Sequence, residues 1–151
     1  MRAGLATLEV LETEYLGRRA IEMGGELRRR LRETLSGYEM VKDVRGIGLL
    51  SGIEFQAPSK ISLRMAFEAF QRIHPGLFGQ MVVMRMFRDE RILTQVCGNN
   101  FMVLKAAPPL IVDENQIEQF VRAMGRVVEL IHSSSTFWSD ALDLARRALN
   151  F

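Results

Sequence analysis

The sequence predicts an α+β fold, a small and mostly antiparallel sheet covered by helices. Two apolar runs within residues 91–110 (RILTQVCGNNFMVLKAAPPL) are split by Gly98-Asn99-Asn100, a hairpin-like signal. A glycine-punctuated strand region lies further upstream, at residues 41–55. Helical periodicities precede, separate and follow these strands without the regular strand–helix alternation of a doubly wound sheet.

Residues 3–35 read as helical. Leu5, Leu8 and Leu11 form one apolar stripe, and Leu16, Ala20, Met23, Leu27 and Leu31 form another. Gly17 and Gly24-Gly25 weaken the middle, so a bend or two helices is expected. Ser36-Gly37 ends the segment. Arg28, Arg29, Arg30 and Arg32 cluster near that end, where cations suit the helix dipole. A solvated helix face, rather than a nucleic-acid patch, is their expected role. Residues 41–55 read as a strand pair or one bent strand, with Ile47, Leu49, Ile53 and Phe55 pointing inward. Gly46, Gly48 and Gly52 have the spacing GxGxxxG and are followed by a strand. No helix N-terminus is therefore offered to a pyrophosphate, and the glycines read as bulges or close packing.

Pro58-Ser59 introduces a helix over residues 60–74, with Leu63, Ala66, Phe67 and Phe70 apolar. Pro75-Gly76 breaks it. A methionine-rich helix follows over residues 77–89, with Phe78, Val82 and Phe87 expected in the core. After the hairpin, Pro108-Pro109 can continue neither a ladder nor a helix, so the second apolar run stops there. Asp113 with Gln116 three residues on matches a capping box. Ile117, Phe120, Val121, Met124, Val128 and Ile131 then recur at helical spacing. Ser133-Ser134-Ser135 reads as a polar joint. Ser135 or Thr136 would cap a last helix with Trp138, Ala141, Leu142, Ala145 and Leu149 on one face. With no internal repeat and no long linker, one domain over residues 1–151 is the expectation.

The chain has 151 residues, enough for a real core. Its 48% hydrophobic and 25% charged residues are ordinary for a globular protein. A net charge of +2 is too small to argue for nucleic acid or a membrane surface. No apolar run reaches spanning length, and the N-terminus lacks a signal-peptide pattern. Cys97 is the single cysteine, so no internal disulfide is possible and a reducing, cytoplasmic location is expected. His74 and His132 lie far apart without ligand spacing, so no metal site is expected. No Ser-His-Asp set, paired-carboxylate motif or P-loop is apparent. Cys97 reads as a small buried hydrophobe. Lys105, at the end of the second run beside the rigid Pro-Pro, is either a surface edge charge or a placed anion binder.

Three segments resemble class-III aminotransferases, the pyridoxal-phosphate enzymes of the ornithine, acetylornithine and 4-aminobutyrate group. Leu104-Lys105-Ala106-Ala107-Pro108-Pro109-Leu110 is similar to the family's strand reading roughly Leu-Arg-x-x-Pro-Pro-Leu. Residues 44–55 (VRGIGLLSGIEF) resemble its glycine-rich strand, and residues 3–12 (AGLATLEVLE) resemble the helix just after its catalytic core. The three matches fall in the family's order.

The resemblance implies the small C-terminal domain of such an enzyme, with the large catalytic domain absent. The family's Schiff-base lysine, phosphate-binding loops and pyridine-nitrogen aspartate have no counterpart among these residues. The chain is therefore expected to have no catalytic residue of its own, and neither to hold pyridoxal phosphate nor to transaminate by itself. Its implied partners are the missing catalytic domain, a second copy in a homo-oligomer and, in the complete enzyme, an amine or amino acid substrate. Lys105 stands where many members place the arginine that grips a substrate carboxylate. Arginine offers a planar fork and lysine a point charge on a flexible stem. This departure opens the way to a diamine, an amino-sugar-like substrate or a carrier-bound carbonyl. The competing reading is a freestanding α+β binding or dimerisation module. Leu5, Leu8 and Leu11 are expected to be left exposed on the first helix and to drive self-association.

Overall fold

A computed structural model describes residues 2–98, 100–133 and 137–139. Four strands form one antiparallel sheet in the order β1-β2-β4-β3: β1 is Val41–Ile47, β2 Leu50–Phe55, β3 Gln95–Cys97 and β4 Asn100–Ala106. The helices are α1 (Arg2–Thr13), α2 (Leu16–Leu35), α3 (Ile61–Ile73), α4 (Leu77–Arg88) and α5 (Glu114–Ser133). The α+β architecture is the expected one. The proposed cap at Ser135 or Thr136 and the face built from Ala141, Leu142, Ala145 and Leu149 lie outside the described residues.

The break in the first helical segment falls at Glu14-Tyr15 rather than at a glycine. Tyr15 adopts a left-handed conformation (φ 51°) and separates α1 from α2. Gly24 stays inside α2 because the hairpin turn needs its missing side chain. A Cβ at Gly24 would sit 1.8 Å from the Gly48 carbonyl oxygen, and Gly48 itself has φ +50°. Arg28 donates from Nη1 to that same carbonyl and, at 3.4 Å, to the Ser51 hydroxyl. Arg32 donates to the Val44 carbonyl at 2.6 Å. The basic cluster is thus divided. Arg28 and Arg32 pin α2 to the β1–β2 hairpin, while Arg29 pairs with Glu26 and Glu33 along the exposed face. Arg30 ties Glu26 to Glu118 of α5.

The core lies between one face of the sheet and helices α2, α3, α4 and α5. Phe70, Phe78, Met81, Met86, Met124 and Val128 have no exposed surface. Phe78 meets Phe55 and Phe67 edge-on, with ring centroids 5.4 and 5.5 Å apart. The methionines of α4 are mostly core, as the sequence implies, but Phe87 is 55% exposed. Ile47 is also outward, at 80% exposure, whereas Val44 fills the inward position on β1. The capping box forms in full: the Gln116 N–H donates to Asp113 Oδ1 at 2.8 Å, and the Asp113 N–H to Gln116 Oε1 at 3.0 Å. Trp138 donates to the Ile131 carbonyl at 3.0 Å and lies 6% exposed against the core.

Candidate functional site

Because side chains alternate along a strand, residues 45, 47, 50, 52, 54, 103 and 105 share the face turned away from the helices. The register fixes which of them meet. Gly52 pairs with Arg45 on one side and Lys105 on the other, and Lys105 pairs with Gln95. A row Arg45–Gly52–Lys105–Gln95 therefore crosses the sheet. It borders a shallow depression of about 450 Å³ that is also lined by Ile47, Leu50, Val103 and Cys97.

The two cations of this row differ in their commitments. Arg45 is paired with Glu54 and lies 3.5 Å from Asp43. Glu54 also takes the Lys42 ammonium at 2.7 Å. Lys42 first, and Arg45 second, hold the Glu54 carboxyl below the usual carboxylate range. Lys105 is half-buried and makes no hydrogen bond or ion pair among the described residues. Between the two, Gly52 supplies no side chain. A Cβ there would lie 3.1 Å from Val103 Cγ1 and 3.9 Å from the Arg45 carbonyl oxygen.

Lys105 is thus where the sequence placed it, on the strand leading to Pro108-Pro109. Cys97 is not the buried hydrophobe expected of it; it is half-buried at the rim of the outer depression, where β3 ends and no described helix packs. Arg45, Gly52 and Glu54 lie in the glycine-rich segment 44–55, but nothing in the sequence sets them beside Lys105, since the register that does so joins residues far apart in the chain. The histidines are structural. His74 Nδ1 accepts from the Gly76 N–H at 3.0 Å. His132 Nδ1 lies 2.7 Å from the Val128 carbonyl and its Nε2 accepts from the Met40 N–H at 3.4 Å. No metal-binding cluster occurs among the described residues.

A second concavity, about 340 Å³, lies between α2, α5 and the end of β4. Leu27, Pro108, Ile117 and Phe120 make it apolar, and it contains no charged side chain.

The described residues do not by themselves fit pyridoxal phosphate. Lys42 is committed to Glu54, Lys60 is exposed at the start of α3, and the depression beside Lys105 is lined by no carboxylate that would face a pyridine nitrogen. Lys105 lines that depression and makes no hydrogen bond or ion pair among the described residues.

Residues 1–128 match the aminotransferase class-III family. The chain is 30% identical over 126 residues to the acetylornithine aminotransferase of Methanothermobacter thermautotrophicus, covering 83% of this chain and 26% of that enzyme. It is 31% identical over 129 residues to the diaminobutyrate–2-oxoglutarate aminotransferase of Rhizobium meliloti, covering 85% of this chain and 26% of that one. A solved transaminase from work on directed evolution by ancestral reconstruction superposes with a TM-score of 0.69 at 30% identity, over 86% of this chain and 26% of that chain. The chain spans about a quarter of the length of the relatives it matches. On the family match and the shared fold together, the chain belongs to the class-III aminotransferases.

Proposed function

We propose that residues 1–151 form one domain, the small C-terminal domain of an enzyme that moves an amino group from an amine or amino acid to a carbonyl acceptor. The rest of the enzyme would be its partner and would carry the catalytic lysine. Family membership implies pyridoxal phosphate in the complete protein, where the cofactor supplies the electron sink. This chain contributes Lys105, which holds an anionic or carbonyl group of the substrate.

The observation that carries this reading is that Lys105 on the outer face makes no hydrogen bond or ion pair among the described residues, while Arg45 on the same row is paired with Glu54; the resemblance of residues 104–110 to the family's motif adds that an arginine stands there in many members. A charged hydrogen bond is worth about 1.5–3 kcal/mol. In the enzyme comprising this chain and its catalytic remainder, Lys105→Ala should lower kcat/KM about tenfold or more. Lys105→Arg should shift preference toward α-carboxylate donors by restoring a bidentate fork. Unchanged kinetics in both variants would make Lys105 a strand-end charge and no more.

A role in self-association is favoured by a separate observation. Helix α1 buries no residue, and Leu5 and Leu8 are 65% and 58% exposed, with Leu11 half-buried. An isolated helix of this length is marginal in water, so a neighbour would stabilise it. A homodimer or larger assembly of this chain is the expected outcome, placed with the catalytic domain in a cytoplasmic enzyme. Light scattering across concentration tests it. Leu5→Ser with Leu8→Ser should return the mass to that of a monomer, and a wild-type monomer at all concentrations would overturn it.

A further inference from the structure

We propose that the depression beside Lys105 selects a substrate with a single anionic end carried on an apolar stem, and that Ile47 and Leu50 are the residues that select the stem. The proposal rests on the reading of Lys105 as an anion binder and adds the substrate class. Two facts on the outer face carry it.

The first is the charge balance of the row. Arg45 is the other cation near Lys105, and Glu54 and Asp43 already engage it. A second anionic group on the ligand would meet the Arg45–Glu54 pair and would have to displace a carboxylate held by two cations. One anion is accommodated at Lys105 and a second is opposed.

The second is the turn between β1 and β2. Ile47 and Leu50 pair across its mouth and stand 80% and 50% exposed. Two residues along a strand is roughly 7 Å, the separation of the Leu50 position from the Gly52–Lys105 row. Gly52 puts no side chain beyond Leu50 on β2, and Val103, opposite Glu54 on the far side of the row, adds a further apolar side chain to the lining of the depression. The turn is also held from beneath. Gly24 packs on Gly48, and Arg28 binds the Gly48 carbonyl and the Ser51 hydroxyl. The two side chains therefore project from a fixed backbone, so little ordering is required when an apolar stem lies against them.

Amide chemical-shift titration of the full chain with acetate, hexanoate and hexanol tests both parts. Hexanoate should saturate and shift Ile47, Leu50, Gly52 and Lys105, binding at least about tenfold more tightly than acetate because its added methylenes are buried. In the double variant Ile47→Ser, Leu50→Ser that preference over acetate should vanish. In Lys105→Ala the preference of hexanoate over hexanol should vanish. Ile47 and Leu50 are exposed and Lys105 is half-buried, and unchanged amide patterns elsewhere verify the fold of each variant. Equal binding of acetate and hexanoate, both lost in Lys105→Ala, would overturn the apolar-stem claim and leave the anion reading standing. Hexanoate binding indifferent to Lys105→Ala and matched by hexanol would overturn the anion reading and the proposal with it. Absence of any saturable shift with all three probes would likewise overturn both.

Discussion

On the inner face of the sheet Val44, Ile53, Phe55 and Leu104 are each at most 3% exposed, while on the outer face Ile47 and Leu50, from the same hairpin, are 80% and 50% exposed. Both faces carry large apolar side chains. The inner set is covered by aromatic and methionine side chains from α3 and α4, with tight ring contacts around Phe78. The outer set has charges for neighbours: Lys42, Asp43, Arg45, Glu54 and Lys105 lie on or beside it. Antiparallel sheets commonly pack one face and solvate the other. Among the described residues, the outer face keeps aliphatic groups beside a lysine that makes no hydrogen bond or ion pair.

If the inner face supplies the stability, its centre should be the costliest place to cut. Phe78→Ala removes a side chain with no exposed surface that meets Phe55 and Phe67. The expected loss is about 3–5 kcal/mol, read as a lowered urea midpoint at unchanged slope. A loss no larger than that of an outer-face substitution would remove the distinction between the two faces.

The junction between the faces comes next. Gly24 lets α2 approach the turn that displays Ile47 and Leu50, and a Cβ there would overlap the Gly48 carbonyl. The obstacle is backbone, so it cannot rotate away. Gly24→Ala should cost about 1–3 kcal/mol or more, the usual range for overpacking, although alanine is the better helix former. It should also shift the amides of residues 46–51 while leaving those of α5 in place. A stabilised variant would mean that the clamp contributes nothing.

The sequence was informative where a feature is local. The Asp113/Gln116 capping box, the turn at Gly98 and the stop at Pro108-Pro109 depend on residues within a few positions of one another, and each appears as read. It was uninformative where parity or distance intervenes. Ile47 and Leu49 look like successive inward residues, but the turn at Gly48 resets the alternation. Leu49 tucks in at 5% exposure while Ile47 turns out. The helix break at Tyr15 needed no glycine, and Gly24 in mid-helix answers to a carbonyl on another element. The arginine cluster looked uniform because its targets, the Val44 and Gly48 carbonyls, become visible only once the hairpin is folded against α2. Lys105 was legible through the family motif, but its neighbours Gly52, Arg45 and Glu54 were not, because strand register decides them.

The smallest expected effect belongs to the outer face. Glu54 is only 14% exposed, but its partners Lys42 and Arg45 are 56% and 51% exposed, so solvent screens the pairs. Lys42 first, and Arg45 second, lower the pKa of Glu54 in the folded chain relative to the unfolded one. A depressed folded value means that the unfolded state binds the proton more readily. The contribution is therefore present in full above the ordinary carboxylate range and is lost as pH falls through the folded value. Exposed ion pairs typically contribute under about 1 kcal/mol. Glu54→Gln should accordingly reduce stability slightly at neutral pH and match the wild type in acid, where both are uncharged at this position. Added salt should shrink the neutral-pH difference. The comparison is made with urea midpoints of the two proteins from neutral pH into the acid range. A difference that persists undiminished in acid would mean that Glu54 acts by packing rather than charge. Glu54 would then not neutralise Arg45, and Lys105 would not differ from Arg45 in its commitments.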